Sequence, residues 1–231
     1  MSTLIAALLI SGAAPRVAPK PFDPVSAYDR REIAGFTVLV NRKVLAHEHE
    51  AKEVLGEVDS QLANIVTVLP PKHLKALRKI RIWIEWDAKP RGGAEFHVSA
   101  GYLRNNGYNP EKVHGIEISN TRNFVAWARK TQPWCVMHEL AHAYHFTEMG
   151  ARHEGLLAAY RQAIDRKLYD SVKHVQGRTE KAYAATNEAE YFAELTEAYL
   201  GKNDFEPFTR GELERHDPVG YKLMETIWGS R

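Results

Sequence analysis

Apolar positions along the chain change period twice. Over residues 35–44 (GFTVLVNRKV) they alternate well enough for a strand pair, or a strand and a turn. Residues 47–68 then follow a helical period, with Val54, Leu55, Val58, Leu62 and Ile65 on one side, and Pro70-Pro71 stops them. Pro71 suits the first turn of a short helix ending near Arg78. Residues 80–86 (IRIWIEW) alternate strictly, the pattern of a half-buried strand. Residues 87–114 are rich in Gly, Asn and Pro and read as a long irregular region with a weak strand at 95–98. Residues 115–119 (GIEIS) form a further short strand. Beyond them the pattern is almost wholly helical, at about 121–129, 133–149, 153–169, 187–200 and 218–228. Strands first and helices after predict an α+β fold with a mostly helical C-terminal half.

Composition adds bounds to this picture. With 231 residues, 44% of them hydrophobic and 26% charged, one domain over 28–231 can bury a real core, and a monomer is expected. The net charge of +2 is spread over both signs, so neither nucleic acid nor an anionic membrane is indicated as the main partner. Cys135 is the single cysteine, which excludes an internal disulfide and a cysteine-rich zinc ribbon. Residues 15–27 carry Pro15, Pro19, Pro21 and Pro24 and read as an extended linker. Before them, an apolar run at 4–10 followed by Ser11, Gly12, Ala13 and Ala14 reads as a secretory leader over residues 1–14, cleaved near Ala13 or Ala14. That pattern predicts export, to the envelope or beyond. The absence of Lys or Arg before Leu4 leaves a cytoplasmic protein with a plain tail as the alternative. No stretch is long and apolar enough to predict a membrane helix.

The chemistry concentrates at residues 138–145, HELAHAYH. Pro133 suits the start of the surrounding helix and Gly150 its end. Residues four apart share a helix face, so His138 and His142 can aim both imidazoles at one point. Glu139 lies one position round, where zinc peptidases place the base that takes a proton from the metal-bound water. Met137, Leu140, Ala141 and Tyr144 form a separate apolar stripe for packing. One zinc ion per chain is therefore expected, and it needs a third protein ligand and an open fourth position.

Three candidates compete for that third place. Glu148 lies ten residues after His138, where metzincins put a histidine, but His145 replaces the glycine that lets their chain turn back. The helix then continues and Glu148 points away. His145 shares the face of His142, yet three ligands on one straight helix diverge too far for a tetrahedral site. The remaining candidate is the segment at 186–194, TNEAEYFAE, whose Glu190 and Glu194 are four apart, with Glu197 continuing the same face. One of these carboxylates can bind the metal while the next fixes a ligand histidine through its second nitrogen. Asn187 and Glu190 also read as a capping box, and Phe192, Leu195, Thr196 and Tyr199 give the helix a packing side.

HELAH, followed some fifty residues later by YAATNEAEYFAE from Tyr183 to Glu194, resembles the catalytic domain of anthrax lethal factor and its bacterial relatives, including the Pro-Pro endopeptidases. These are gluzincins, and the resemblance covers about residues 115–200. It implies a zincin-like fold, a small mixed sheet with an edge strand above the HExxH helix, and residues 115–119 are the expected edge strand. It implies His138, His142 and Glu190 as zinc ligands, Glu139 as the general base, Tyr183 as the hydroxyl that stabilises the oxyanion, and Glu194 as the carboxylate behind a ligand histidine. The activity implied is zinc-dependent hydrolysis of a peptide or protein substrate. The alternatives are a non-catalytic zinc-binding protein on the same scaffold and a zinc hydrolase of a non-peptide amide. Intact Glu139 and Tyr183 weigh against the scaffold, which needs neither.

Overall fold

The computed structural model describes residues 22–150 and 152–230. The expected leader at 1–14, and the linker up to residue 21, lie outside them. Residues 22–27, which their composition assigns to the linker, pack on the fold instead. A 3-10 turn at Val25–Ala27 sets Val25 and Ala27 against Tyr28, Leu39 and Trp83, and Asp23 pairs with Lys43 at 2.7 Å.

The chain runs through β1 (Tyr28–Ile33), β2 (Phe36–Asn41), α1 (Arg42–Leu45), α2 (Glu48–Val68), α3 (Pro71–Leu77), β3 (Ile82–Ile84), β4 (Ala94–Phe96), α4 (Ala100–Asn105) and β5 (Ile116–Ile118). It continues through α5 (Thr121–Lys130), α6 (Cys135–Tyr144), α7 (Glu154–Asp165), a small hairpin of β6 (Val172–Lys173) and β7 (Thr179–Glu180), then α8 (Glu188–Leu200), α9 (Arg210–His216) and α10 (Pro218–Trp228). This is a mixed α/β architecture with a small mixed sheet and a helical second half.

The main sheet has the order β1-β2-β3-β5-β4, with β2, β3 and β5 parallel and an antiparallel strand at each edge. Register sets two rows on its inner face: Val38, Ile82, Ile116 and Phe96, and beside them Val40, Ile84, Ile118 and Ala94. The outer row is Leu39, Trp83, Glu117 and Glu95.

Two expectations change here. The alternating 80–86 segment is buried on both faces, because a parallel strand between two neighbours is covered from either side. Trp83 points away from the main core but lies edge-on under Tyr28, ring centres 5.0 Å apart. The 115–119 strand is not the edge. β4, folded back from the irregular region, pairs with its outer side and takes the edge position.

The inner face packs on α2 through Val54, Val58, Leu62 and Ile65, and on α6 through Val136, Met137, Leu140 and Ala141, all within one hydrophobic core. Each fully buried Leu or Phe there contributes about 1.5–3 kcal/mol. Helix α8 is buried on every side from Tyr191 to Leu200 and is flanked by α6, α7, α9 and α10. The two helices that carry the sequence motifs thus lie against each other at the centre of the molecule.

Their junction leaves no room for a side chain at Gly201, just past α8, where an added Cβ would come within 2.0 Å of the Trp134 ring. A Gly201→Ala variant is expected to lose about 1–3 kcal/mol of stability by overpacking. Urea unfolding followed by tryptophan fluorescence checks this, and an unchanged midpoint would contradict the close contact.

Candidate metal centre

Helix α6 starts with its first turn anchored from outside. The Val136 amide, which has no partner within the helix, donates to Gln61 Oε1 on α2 at 3.0 Å. The helix then presents His138 and His142 one turn apart, ring centres 4.8 Å from each other. At its end it widens into a π-helical turn over His145–Met149 and stops at Gly150, whose φ is 84°. Within that turn His145 is buried against Phe192 and Glu148 is exposed, so neither joins the other histidines.

Glu190 enters from the first turn of α8. Asn187 caps that helix, accepting hydrogen bonds from the Ala189 and Glu190 amides at 2.9 Å each. Only half of a capping box forms, because the Glu190 carboxylate turns toward the histidines instead of back to Asn187. Its Oε2 lies 3.1 Å from His138 Nε2 and 3.2 Å from His142 Nε2. The three residues offer one ligand atom each within 4.8 Å of one another. A tetrahedral ion with bonds of about 2.0–2.1 Å separates its ligand atoms by about 3.3 Å. The two carboxylate–imidazole separations match that edge, and the donor set of two imidazoles and a carboxylate suits zinc.

Behind His138 the structure departs from the expected arrangement. Its Nδ1 is 2.7 Å from Glu197 Oε1, whereas Glu194 Oε1 stands 3.9 Å away. Glu197, not Glu194, is therefore the carboxylate that fixes the ring. Glu194 instead accepts from Asn203 Nδ2 at 3.1 Å. Residues 194 and 197 lie on one side of α8, and the packing of α8 against α6 selects between them.

Electrostatics favour positive charge at the point where these side chains meet. Burial works against a charged His138, but the Glu190 and Glu197 carboxylates outweigh it and hold its pKa well above the ordinary histidine value. Burial likewise raises Glu190, and the two imidazoles reverse this and bring it far below the usual carboxylate range. Glu194 moves the other way: burial, with the charges of Glu197 and Asp204, pushes it well up.

Tyr183 and Glu139 share a cavity of about 360 Å³ with His138, His142 and Glu190, walled also by Phe96, Trp127, Gln132 and Cys135. The Tyr183 hydroxyl donates to Glu190 Oε1 at 3.3 Å. Burial and the Glu190 charge raise its pKa, so the phenol stays protonated and able to donate. Glu139 accepts no hydrogen bond from another described side chain, which leaves its carboxylate free to take one from a ligand in the cavity. Cys135 is held by Gln61 at 3.6 Å, and burial pushes its thiol up, so it is a packed wall residue.

The structure thus brings together His138, Glu139, His142, Tyr183 and Glu190, and it adds Glu197, Trp127 and Gln132. Glu197 was visible in the sequence as a continuation of the acidic face, but no local signal singles out Trp127 or Gln132. A separate group, Glu95, His97 and Glu117, could also offer three ligand atoms. Its charges are already met: Lys89 pairs with Glu95, and Glu117 takes Lys112 and His97 at 2.6 Å each. No protein-family model matches this chain, nor does any curated protein or any solved structure.

Proposed function

We propose that the protein is a zinc-dependent endopeptidase of the gluzincin type, with His138, His142 and Glu190 holding the metal. The carrying observation is the placing of Glu190 Oε2 at 3.1 and 3.2 Å from the two Nε2 atoms, in a cavity that also holds a free carboxylate and a phenol. The bound ion supplies Lewis acidity and lowers the pKa of its water to near neutrality.

The remaining work falls to the chain itself. Glu197 fixes the His138 ring by taking up Nδ1, so that Nε2 faces the cavity. Glu139 takes a proton from the attacking water and passes it to the leaving amine. Tyr183, protonated and half exposed at the cavity wall, donates a hydrogen bond to the oxyanion that develops on the scissile carbonyl. The free side of edge strand β4 offers unpaired backbone groups to an extended peptide, and its inner residues Ala94 and Phe96 face the cavity. The likeness of residues 183–194 to the lethal factor catalytic domain supports the roles given to Glu190 and Tyr183, though it implies Glu194 in the place that Glu197 takes here.

Metal analysis tests the reading directly. The protein is expected to hold about one zinc per chain, and Glu190→Ala to weaken it at least about a hundredfold, more than loss of an outer partner does. Full retention of zinc by that variant would remove Glu190 from the site.

A further inference from the structure

Beside the cavity at the candidate metal centre lies a second one of about 410 Å³, and the two have Phe96, His142 and Glu190 as common wall residues. The added walls are the apolar Val98, Phe146 and Ala189, together with the polar His145, Asn187 and Glu188. The Phe96 and Phe146 rings stand 6.1 Å apart, and Val98 is 52% exposed. At the opposite end of the first cavity stands Trp127, 41% exposed. Its ring rests against the backbone of Gly93, where a Cβ would come within 2.4 Å of it. The chain entering β4 therefore forms the back of this indole.

Seven large hydrophobic side chains are exposed among the described residues, and three of them, Val98, Trp127 and Tyr183, line these adjoining cavities. Apolar exposure gathered at one cleft marks a surface that meets a ligand. The chain from Gly93 to Val98 advances about 16 Å at about 3.3 Å per residue, so an extended segment of about five residues spans the cleft beside it.

Resting on the hydrolytic reading above, we propose that the substrate is an extended peptide with a bulky apolar side chain on each side of the scissile bond. One side chain seats between Phe96, Val98 and Phe146, and the other lies against Trp127. The common walls Phe96, His142 and Glu190 set the two contacts side by side, within reach of one bound peptide whose reacting bond lies between them.

A randomised peptide library tests this in two ways: digestion by the zinc-loaded protein, and equilibrium binding of the same peptides to Glu139→Gln. Leu, Met, Phe or Tyr should be enriched on both sides of the cleavage sites and among the bound peptides. Val98→Asp, at an exposed position that tolerates the change, should lower kcat/KM for the best apolar peptide about tenfold and shift selection on that side toward Lys and Arg. Trp127→Ala should relax selection on the other side only. Cleavage without apolar preference, or unchanged selection in Val98→Asp, overturns the inference and leaves peptide hydrolysis standing. Apolar-selective binding without any cleavage by the wild type overturns hydrolysis and keeps the groove. Neither binding nor cleavage overturns both.

Discussion

A Glu139→Gln variant is expected to keep its zinc and its fold while losing about 10³-fold in kcat, equivalent to about 4 kcal/mol of barrier. The substitution preserves the shape of the side chain and removes only its basicity. Glu139 accepts no hydrogen bond from another described side chain, so its replacement strands no partner and should change stability by less than about 0.5 kcal/mol. The proposed ligand atoms belong to His138, His142 and Glu190, and Glu190 Oε2 contacts both imidazoles without help from Glu139. Zinc content, urea midpoint and peptide turnover measured together separate the possibilities. Turnover within tenfold of wild type would remove Glu139 as the base, and loss of zinc would make it a ligand or a support of one.

The pairing of His138 with His142 on one helix face was legible in the sequence because it is set by helix periodicity alone. His138 and His142 need only the four-residue spacing, and the apolar stripe through Leu140 and Ala141 fixes which side of α6 faces the core. The buried character of α8 was legible for the same reason, since Phe192 and Leu195 gave it a packing side while its acidic residues needed something to face. What escaped depended on neighbours distant in sequence. The choice of Glu197 over Glu194 depends on how α8 is rotated against α6, and a residue three or four positions along the same face looks equivalent until that rotation is known. Strand β1 was not recognised because its middle, Arg30, Arg31 and Glu32, is a charged edge with little apolar alternation. The edge above α6 was assigned to 115–119 because GIEIS has the stronger strand pattern. Strand β4 owes its place to antiparallel pairing with β5, which residues 87–114 do not advertise.

The second large effect is expected on the outer face of the sheet, at Lys112, where a Lys112→Met variant should lose about 3–5 kcal/mol of stability at neutral pH. Lys112 Nζ sits on the outer face of the sheet, 2.6 Å from both Glu85 Oε1 and Glu117 Oε1, and all three side chains are buried. The cluster is otherwise saturated: Tyr28 and Asn41 donate to Glu85, and His97 Nε2 lies 2.6 Å from Glu117 Oε2. Methionine fills the volume but leaves two carboxylates without their cation, and the penalty of a stranded buried charge exceeds what the apolar side chain returns. The pH dependence should identify the cause. Burial alone would raise the Glu117 pKa, but the His97 hydrogen bond and the Lys112 charge outweigh it and hold it below the usual glutamate range. A depressed carboxylate stabilises the fold above its unfolded pKa of about 4.3, and that contribution is lost as pH falls through the lower folded value. Wild-type stability should therefore decline below about pH 4, while acid that protonates the stranded carboxylates relieves the variant. The gap between the two should be widest near pH 7 and narrow toward pH 3 in urea unfolding series. A gap independent of pH would mean that lost packing, and not lost charge pairing, is responsible. Because Glu117 is the cross-strand partner of Glu95 on β4, the variant should also loosen the strand that walls the metal cleft. Amide exchange at Glu95 and at His97, whose N–H donates to the Gly115 carbonyl, should then accelerate before exchange in α8 does.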